Sequence, residues 1–217
     1  MELNLVQKII VYALPVIFAI TLHEAAHGYA AFKFGDRTAK MLGRISLNPL
    51  RHIDLVGTIL VPALTIALGG ILFGWAKPVP VNFGNLHHPK QDMFWVAAAG
   101  PAANLLMALF WAGMIKLSLF LPAGDAYAQP MALMGMAGVT INAVLATLNL
   151  LPIPPLDGGR IAVSLLPNKA AYQLSLLEPY GMFILLGLVA TGLLGSIIGP
   201  LYRTVEHLAL TLFNILP

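Results

Sequence analysis

The stretch Val11-Tyr12-Ala13-Leu14-Pro15-Val16-Ile17-Phe18-Ala19-Ile20-Thr21-Leu22-His23-Glu24-Ala25-Ala26-His27-Gly28-Tyr29-Ala30-Ala31-Phe32 decides how this chain is read. It is apolar over the roughly 20 residues that a helix needs to cross a bilayer. Within it stands His-Glu-Ala-Ala-His. On a helix, His23 and His27 lie one turn apart on one face, with the Glu24 carboxylate beside them. That is the arrangement of a zinc hydrolase site. A carboxylate in a membrane helix costs about 2.5–3.5 kcal/mol on insertion scales, so its presence there points to a function.

The rest of the composition agrees with a membrane setting. Of 217 residues, 59% are hydrophobic and 10% charged, and the mean hydropathy is +0.83. A soluble domain carries about 25% charged residues. Too few polar side chains are present to cover a surface in water, so the expected fold class is an all-α polytopic membrane protein. The length suits a single membrane-embedded domain over 1–217, with a catalytic core over about 5–160 and C-terminal helices over about 176–216. The net charge of +3 reflects loop bias that sets orientation, not nucleic-acid binding. Cysteine is absent, so a zinc site must draw on His and carboxylate ligands. Lys8 precedes the apolar run and no small-residue cleavage site follows it, which predicts a retained first span, not a removed signal peptide.

Five stretches are long enough to span: Leu5 to Phe34, Leu55 to Ala76, Met93 to Leu121, Met131 to Leu151 and Pro179 to Ile198. Lys116 sits near the end of the third, where it can snorkel. Beyond Pro200, Leu201 to Leu216 carries Arg203, Glu206 and His207, and suits either a short interfacial helix or a return into the bundle. The bundle therefore has about five to six hydrophobic segments. Lys33, Arg37, Lys40, Arg44 and Arg51 oppose only Asp36 and Asp54 between the first two stretches. Such a loop is cytoplasmic. The loop holding Asp125 suits the outside, and the segment with Arg160 and Lys169 is cytoplasmic again. This parity holds if Leu55 to Ala76, broken by Pro62 and Gly69-Gly70, is re-entrant. Pro78-Val79-Pro80-Val81-Asn82-Phe83-Gly84 then reads as an extended strand or hairpin.

A catalytic zinc takes about three protein ligands and an open position. His23 and His27 are two, and Glu24 suits a general base acting on water. No further ligand follows locally. Asp36 and Asp54 lie in a basic loop, where solvation or pairing is expected; Glu178 and Glu206 lie near span ends. Asp157 follows the broken segment Asn149-Leu150-Leu151-Pro152-Ile153-Pro154-Pro155-Leu156, and Gly158-Gly159 after it permit close backbone approach. It is the favoured third ligand, against the plainer reading of an Asp-Gly turn at the interface. Gly100-Pro101 is expected to cap the start of the third span. Asn104, one turn on, suits inter-helix packing, with contact to substrate or oxyanion, or a hydrogen bond to a ligand, as the functional alternatives. His52, His87 and His88 are expected at the interface. Pro15 is a candidate kink.

Three separated motifs, His23–His27, Gly100-Pro101-Ala102-Ala103-Asn104 and Asn149 to Gly158, together resemble the site-2 protease family of intramembrane zinc metalloproteases, peptidase family M50. Gly35-Asp36, Gly43-Arg44, Leu47-Asn48-Pro49 and Trp75-Ala76-Lys77-Pro78-Val79-Pro80 resemble its compact prokaryotic branch, without an inserted PDZ or appended CBS domain. The resemblance covers about the first 160 residues. It implies one catalytic Zn2+ on His23, His27 and Asp157, Glu24 as base, and Asn149 as a contact to substrate or oxyanion. It implies membrane-spanning protein substrates, a multi-pass place in the prokaryotic plasma membrane, and a site toward the cytoplasm. Pro78 to Gly84 is the expected edge for a substrate strand, because β-addition satisfies the backbone groups of an unwound peptide. The residues also admit two other classes. A metal-ion transporter would use the same His/Asp set without cleavage, and a silent scaffold would bind membrane partners; zinc content and zinc flux separate them.

Overall fold

In a computed structural model, the described residues are 5–60, 76–122 and 124–215. The expected re-entrant stretch Leu55 to Ala76 falls mainly outside them. Only its first turns, a π-helical segment over Leu55–Leu60, are described.

The first helix, α1, runs Leu5–Lys33 with Pro15 inside it. At 1.5 Å per residue it is about 44 Å long, enough to cross a bilayer with a margin. It stops where the chain must turn left-handed: Gly35 has φ +112°, a conformation that costs glycine little. Helix α2 spans Pro89–Ser118. Pro89 stands in its first turn, where a missing N–H is harmless. The Asp92 carboxylate accepts the His88 N–H at 2.7 Å, which satisfies a donor left free at the helix start. Gly100-Pro101 therefore lies well inside α2, and the expected capping role is wrong. Helix α3 covers Ala128–Asn149, α4 Asp157–Leu165 and α5 Asn168–Ser175. Helix α6 covers Gly181–Ala190 and α7 Leu193–Leu212.

Four helical segments are long and apolar enough to cross a membrane: Ile10–Lys33, Pro89–Ser118, Ala128–Asn149 and Asn168–Ala190. Helices α1, α2 and α3 pack on one another, and α4 lies against α2. The stretch expected to span Pro179 to Ile198 is not one helix, because Gly192 at φ +73° ends α6 and α7 starts afresh. Nor does Pro200 divide the tail; α7 runs through it. The end of α7 returns into the bundle. Ala209 and Leu210 join Trp111, Ala112, Ile115 and Val139 in a buried cluster between α2, α3 and α7. Gly138 makes room for it, since a Cβ there would come 2.2 Å from Trp111 Cγ.

No strand occurs among the described residues. The segment 76–82 is irregular and ends in a 3-10 turn, Phe83–Asn85. Asp36 holds it. The fully buried Asp36 carboxylate accepts the Thr38 N–H at 3.0 Å, the Thr38 hydroxyl at 2.6 Å, the Asn82 N–H at 2.8 Å and the Asn85 amide at 3.1 Å. Burial pushes this carboxyl up, but the bonds from Thr38, Asn82 and Asn85 outweigh it and hold the group below the usual carboxylate range. Asp36 is thus a structural clamp on the end of α1. Asp54 accepts the Val56 and Gly57 N–H groups and starts the turn after it.

Candidate metal centre

His23 and His27 project from α1 toward the middle of α2. Gly100 sits under both rings: a Cβ there would come 2.3 Å from His27 Nε2 and 2.6 Å from His23 Cε1. A side chain at position 100 would fill the space the imidazoles need. Asp157 arrives from the other end of the chain. Leu156 and Asp157 open α4, so the carboxylate stands at a helix N-terminus, where the backbone dipole favours negative charge. The turn that delivers it folds tightly back on the end of α3. A Cβ at Gly158 would lie 2.3 Å from the carbonyl oxygens of Leu150 and Leu151, and one at Gly159 2.4 Å from Pro154 N. The expected glycine requirement is borne out at both positions.

The three donor atoms form a near-equilateral triangle. His23 Nε2 and His27 Nε2 are 3.1 Å apart, and each is 3.2 Å from Asp157 Oδ2. In a tetrahedral centre with bonds of about 2.0–2.1 Å, the ligand atoms are separated by about 3.3 Å. The triangle matches one face of such a tetrahedron. Among the described residues, His23, His27 and Asp157 are the one group of three His or acidic side chains placed to hold a metal.

The proton inventory makes the same point. His27 Nδ1 lies 2.7 Å from the Val96 carbonyl oxygen, an obligate acceptor, so Nδ1 carries the hydrogen and the neutral ring, the metal-binding form, presents a bare Nε2. His23 Nδ1 lies 2.5 Å from Asn104 Oδ1. The amide orientation of Asn104 follows from its other side: Nδ2 donates to the Ala19 carbonyl at 3.3 Å and to Asn142 Oδ1 at 2.9 Å. Asn142 in turn donates to the Gly138 carbonyl at 2.9 Å. Oδ1 of Asn104 therefore faces His23 and accepts from Nδ1, leaving the second Nε2 bare as well. Asp157 Oδ2 is buried and receives no hydrogen bond among the described residues. Three lone-pair atoms facing one another in a buried space repel unless a cation lies between them. The donor set fits a metal ion.

The other expected site residues separate clearly. Glu24 shares α1 with the two histidines but faces the irregular segment, where Oε2 accepts the Val79 N–H at 2.7 Å. Asn104 is fully buried; it packs between helices and bonds His23, two of the roles expected of it. Asn149 ends α3, and its amide donates to the Leu145 carbonyl of its own helix at 3.0 Å. No hydrogen bond from it to His23, His27 or Asp157 is present among the described residues. His52 is packed inside the protein, 2% exposed, with Nε2 2.8 Å from the Ser46 carbonyl. His87 and His88 are exposed. Glu178 pairs with Arg160 at 3.5 Å, and Glu206 accepts from Thr140. Sequence reasoning missed Gly100 as the space for the rings, the Val96 carbonyl, the Val79 N–H and Asn142. Only Asn142 carried a signal, being a lone amide in the apolar run from Val139 to Val144.

Over 209 residues, 93% of this chain and 90% of the relative, the sequence is 37% identical to "Putative zinc metalloprotease YwhC" of Bacillus subtilis (strain 168). The pattern that describes Peptidase family M50 matches residues 111–188. The chain belongs to peptidase family M50. The chain is also 32% identical over 176 residues to "Putative zinc metalloprotease Rip2" of Mycolicibacterium smegmatis, covering 81% of this chain and 64% of that one. It is 34% identical over 146 residues to the protein of the same name in Mycobacterium tuberculosis (strain ATCC 25618 / H37Rv), covering 65% and 52%. No solved structure matches. The resemblance to the site-2 protease family drawn from three short motifs is thus borne out, and this M50 chain is a membrane metalloprotease.

Proposed function

We propose that this chain is an intramembrane zinc metalloprotease that hydrolyses peptide bonds in or near the membrane-spanning segments of protein substrates. The observation that carries this reading is the largely buried triangle of His23 Nε2, His27 Nε2 and Asp157 Oδ2, with edges of 3.1–3.2 Å and two of its corners on a helix long enough to cross a bilayer. The names of the M50 relatives support zinc as the metal. His23, His27 and Asp157 are the residues that would hold it. When bound, zinc supplies a Lewis acid that polarises the scissile carbonyl and brings the pKa of water toward about 7.

The remaining chemistry belongs to the chain. Asn104 and the Val96 carbonyl keep both imidazoles in the tautomer that presents Nε2. Glu24 takes the proton from the attacking water and hands it to the leaving amine. Asn149 contacts substrate or the developing oxyanion, a role that rests on the motif. The basic loop after α1 supports a site toward the cytoplasmic side of the cell membrane. His23 lies ten residues before the end of α1, about 15 Å along the axis, so water has a short path from that side.

A helical substrate hides its carbonyls in hydrogen bonds and must unwind locally before cleavage. Pro78 to Gly84 remains the edge we assign to the unwound strand. Because the Val79 N–H is engaged by Glu24, proline at Val81 rather than Val79 is the test of strand pairing.

Purified protein with a single-span model substrate tests the function. Glu24→Gln should abolish cleavage while zinc stays bound. Cleavage by Glu24→Gln at the wild-type rate would remove the role given to Glu24. Zinc flux in liposomes without any proteolysis would move the reading to a transporter.

A further inference from the structure

The tripeptide Pro78-Val79-Pro80 has one backbone N–H, because proline has none. That one donor is spent on Glu24: Val79 N to Glu24 Oε2 is 2.7 Å. Val79 also docks against the same face of α1 one turn further on. A Cβ at Gly28 would come 3.0 Å from Val79 Cγ1, so Gly28 leaves the seat that the valine occupies. Residue 79 therefore grips α1 at Glu24 through its N–H and at Gly28 through its side chain.

The segment around this grip is fixed from both ends. On the near side, the Arg44 guanidinium donates to the Lys77 carbonyl at 2.9 Å and to the Pro78 carbonyl at 3.3 Å. The Lys77 N–H donates to the His52 carbonyl at 3.0 Å. On the far side, Asp36 accepts the Asn82 N–H at 2.8 Å. Pro78 and Pro80 hold their own φ near −65°, and each keeps the residue before it out of the helical region. The donor at Val79 is thus presented with little freedom left to lose.

We propose that Val79 is a positioning residue: its backbone N–H, braced by Arg44 and Asp36 and seated at Gly28, fixes the rotamer of the Glu24 carboxylate beside the metal ligands. This rests on the reading of Glu24 as the base. A glutamate has three side-chain torsions, and holding one oxygen leaves the other turned in a defined direction for proton transfer. The tie uses the backbone, so side-chain chemistry at position 79 is secondary to the presence of its N–H.

Two measurements on the full-length, zinc-loaded protein test this. The first is hydrogen–deuterium exchange at Val79, whose amide is the one exchangeable group between the two prolines. Glu24→Ala should speed exchange at Val79 by roughly 10-fold or more while Asn82, held by Asp36, stays protected. Unchanged exchange at Val79, or equal acceleration at both amides, overturns the proposal. This arm needs no activity, so it stands apart from the reading of Glu24 as the base. The second is kinetic, with the single-span substrate. Val79→Pro should lower kcat by roughly 10- to 100-fold with KM within about twofold and zinc still bound. Val79→Thr, which keeps the N–H and the branched shape, should recover kcat. A wild-type kcat in Val79→Pro, or a rise in KM alone, overturns the proposal. If Val79→Pro does not fold, the exchange measurement decides.

Discussion

Replacing Asn104 with leucine probes the metal centre without touching a ligand. The wild-type side chain makes three contacts: to His23 Nδ1 at 2.5 Å, the Ala19 carbonyl at 3.3 Å and Asn142 Oδ1 at 2.9 Å. Leucine has similar bulk and no polar atom. His23 Nδ1–H and Asn142 Oδ1 would then be buried without partners, at about 1–3 kcal/mol each. His23 can escape its share of that cost by moving its proton to Nε2, the atom that faces His27 and Asp157. A metal must then displace that proton or accept a rotated ring. Loss of a partner of this kind typically weakens metal binding by about 10- to 100-fold, or roughly 1.4–2.7 kcal/mol. The assay is competition for zinc against a chelator in detergent, with a melting curve to show that the variant is folded. Asn104→Asp, which keeps an acceptor facing Nδ1, should retain more affinity than Asn104→Leu. A folded Asn104→Leu that binds zinc as tightly as wild type would refute the tautomer argument.

Further expectations follow from other contacts. Gly100→Ala places a Cβ 2.3 Å from His27 Nε2, so the rings must part; zinc measured by elemental analysis should fall below one per chain while the helical circular-dichroism signal stays near wild type. The carboxyl of Asp36 is held below its unfolded value, so its stabilisation is present above about pH 4 and is lost as pH falls through the lower, folded value. The Tm gap between wild type and Asp36→Asn should therefore be widest near neutrality and close below that range. Lys90 donates to the Leu166 carbonyl at 2.6 Å and to Asn168 Oδ1 at 2.9 Å, tying the end of α4 to the start of α2. Lys90→Met should cost about 1.5–3 kcal/mol, read as a drop of several degrees in Tm; an unchanged Tm would show the tie to be idle.

The apolar runs gave the membrane setting and three of the principal helices because lipid imposes a strong local rule: a long enough stretch with few charges becomes a helix. Boundaries followed less well. Helix α2 begins at Pro89, not near Met93, since the capping carboxylate of Asp92 adds a polar turn that hydropathy ignores. The C-terminal stretch was divided at Pro200, whereas the chain breaks at Gly192. A glycine's left-handed φ has no hydropathic signature, and a proline's missing N–H is tolerable where a helix is otherwise well packed. His52 read as polar loop, but burial of a histidine depends on what folds over it.

His23, Glu24 and His27 were legible because their spacing is a local property of one helix. Asp157 was legible because the prolines and glycines around it forbid a continuous helix and allow a close turn. What the sequence could not supply was anything that depends on two distant surfaces meeting. Periodicity says which face of α1 carries the imidazoles. It does not say that Val96, Gly100 and Asn104 of α2 lie opposite, or that Glu24 accepts the Val79 N–H. Those pairings are decided by helix packing and by the clamp at Asp36, through contacts among residues far apart in the chain. The sequence by itself determined the chemical parts and their solvent; the tertiary structure alone determined which nitrogen of each histidine faces inward and which backbone N–H holds the Glu24 carboxylate.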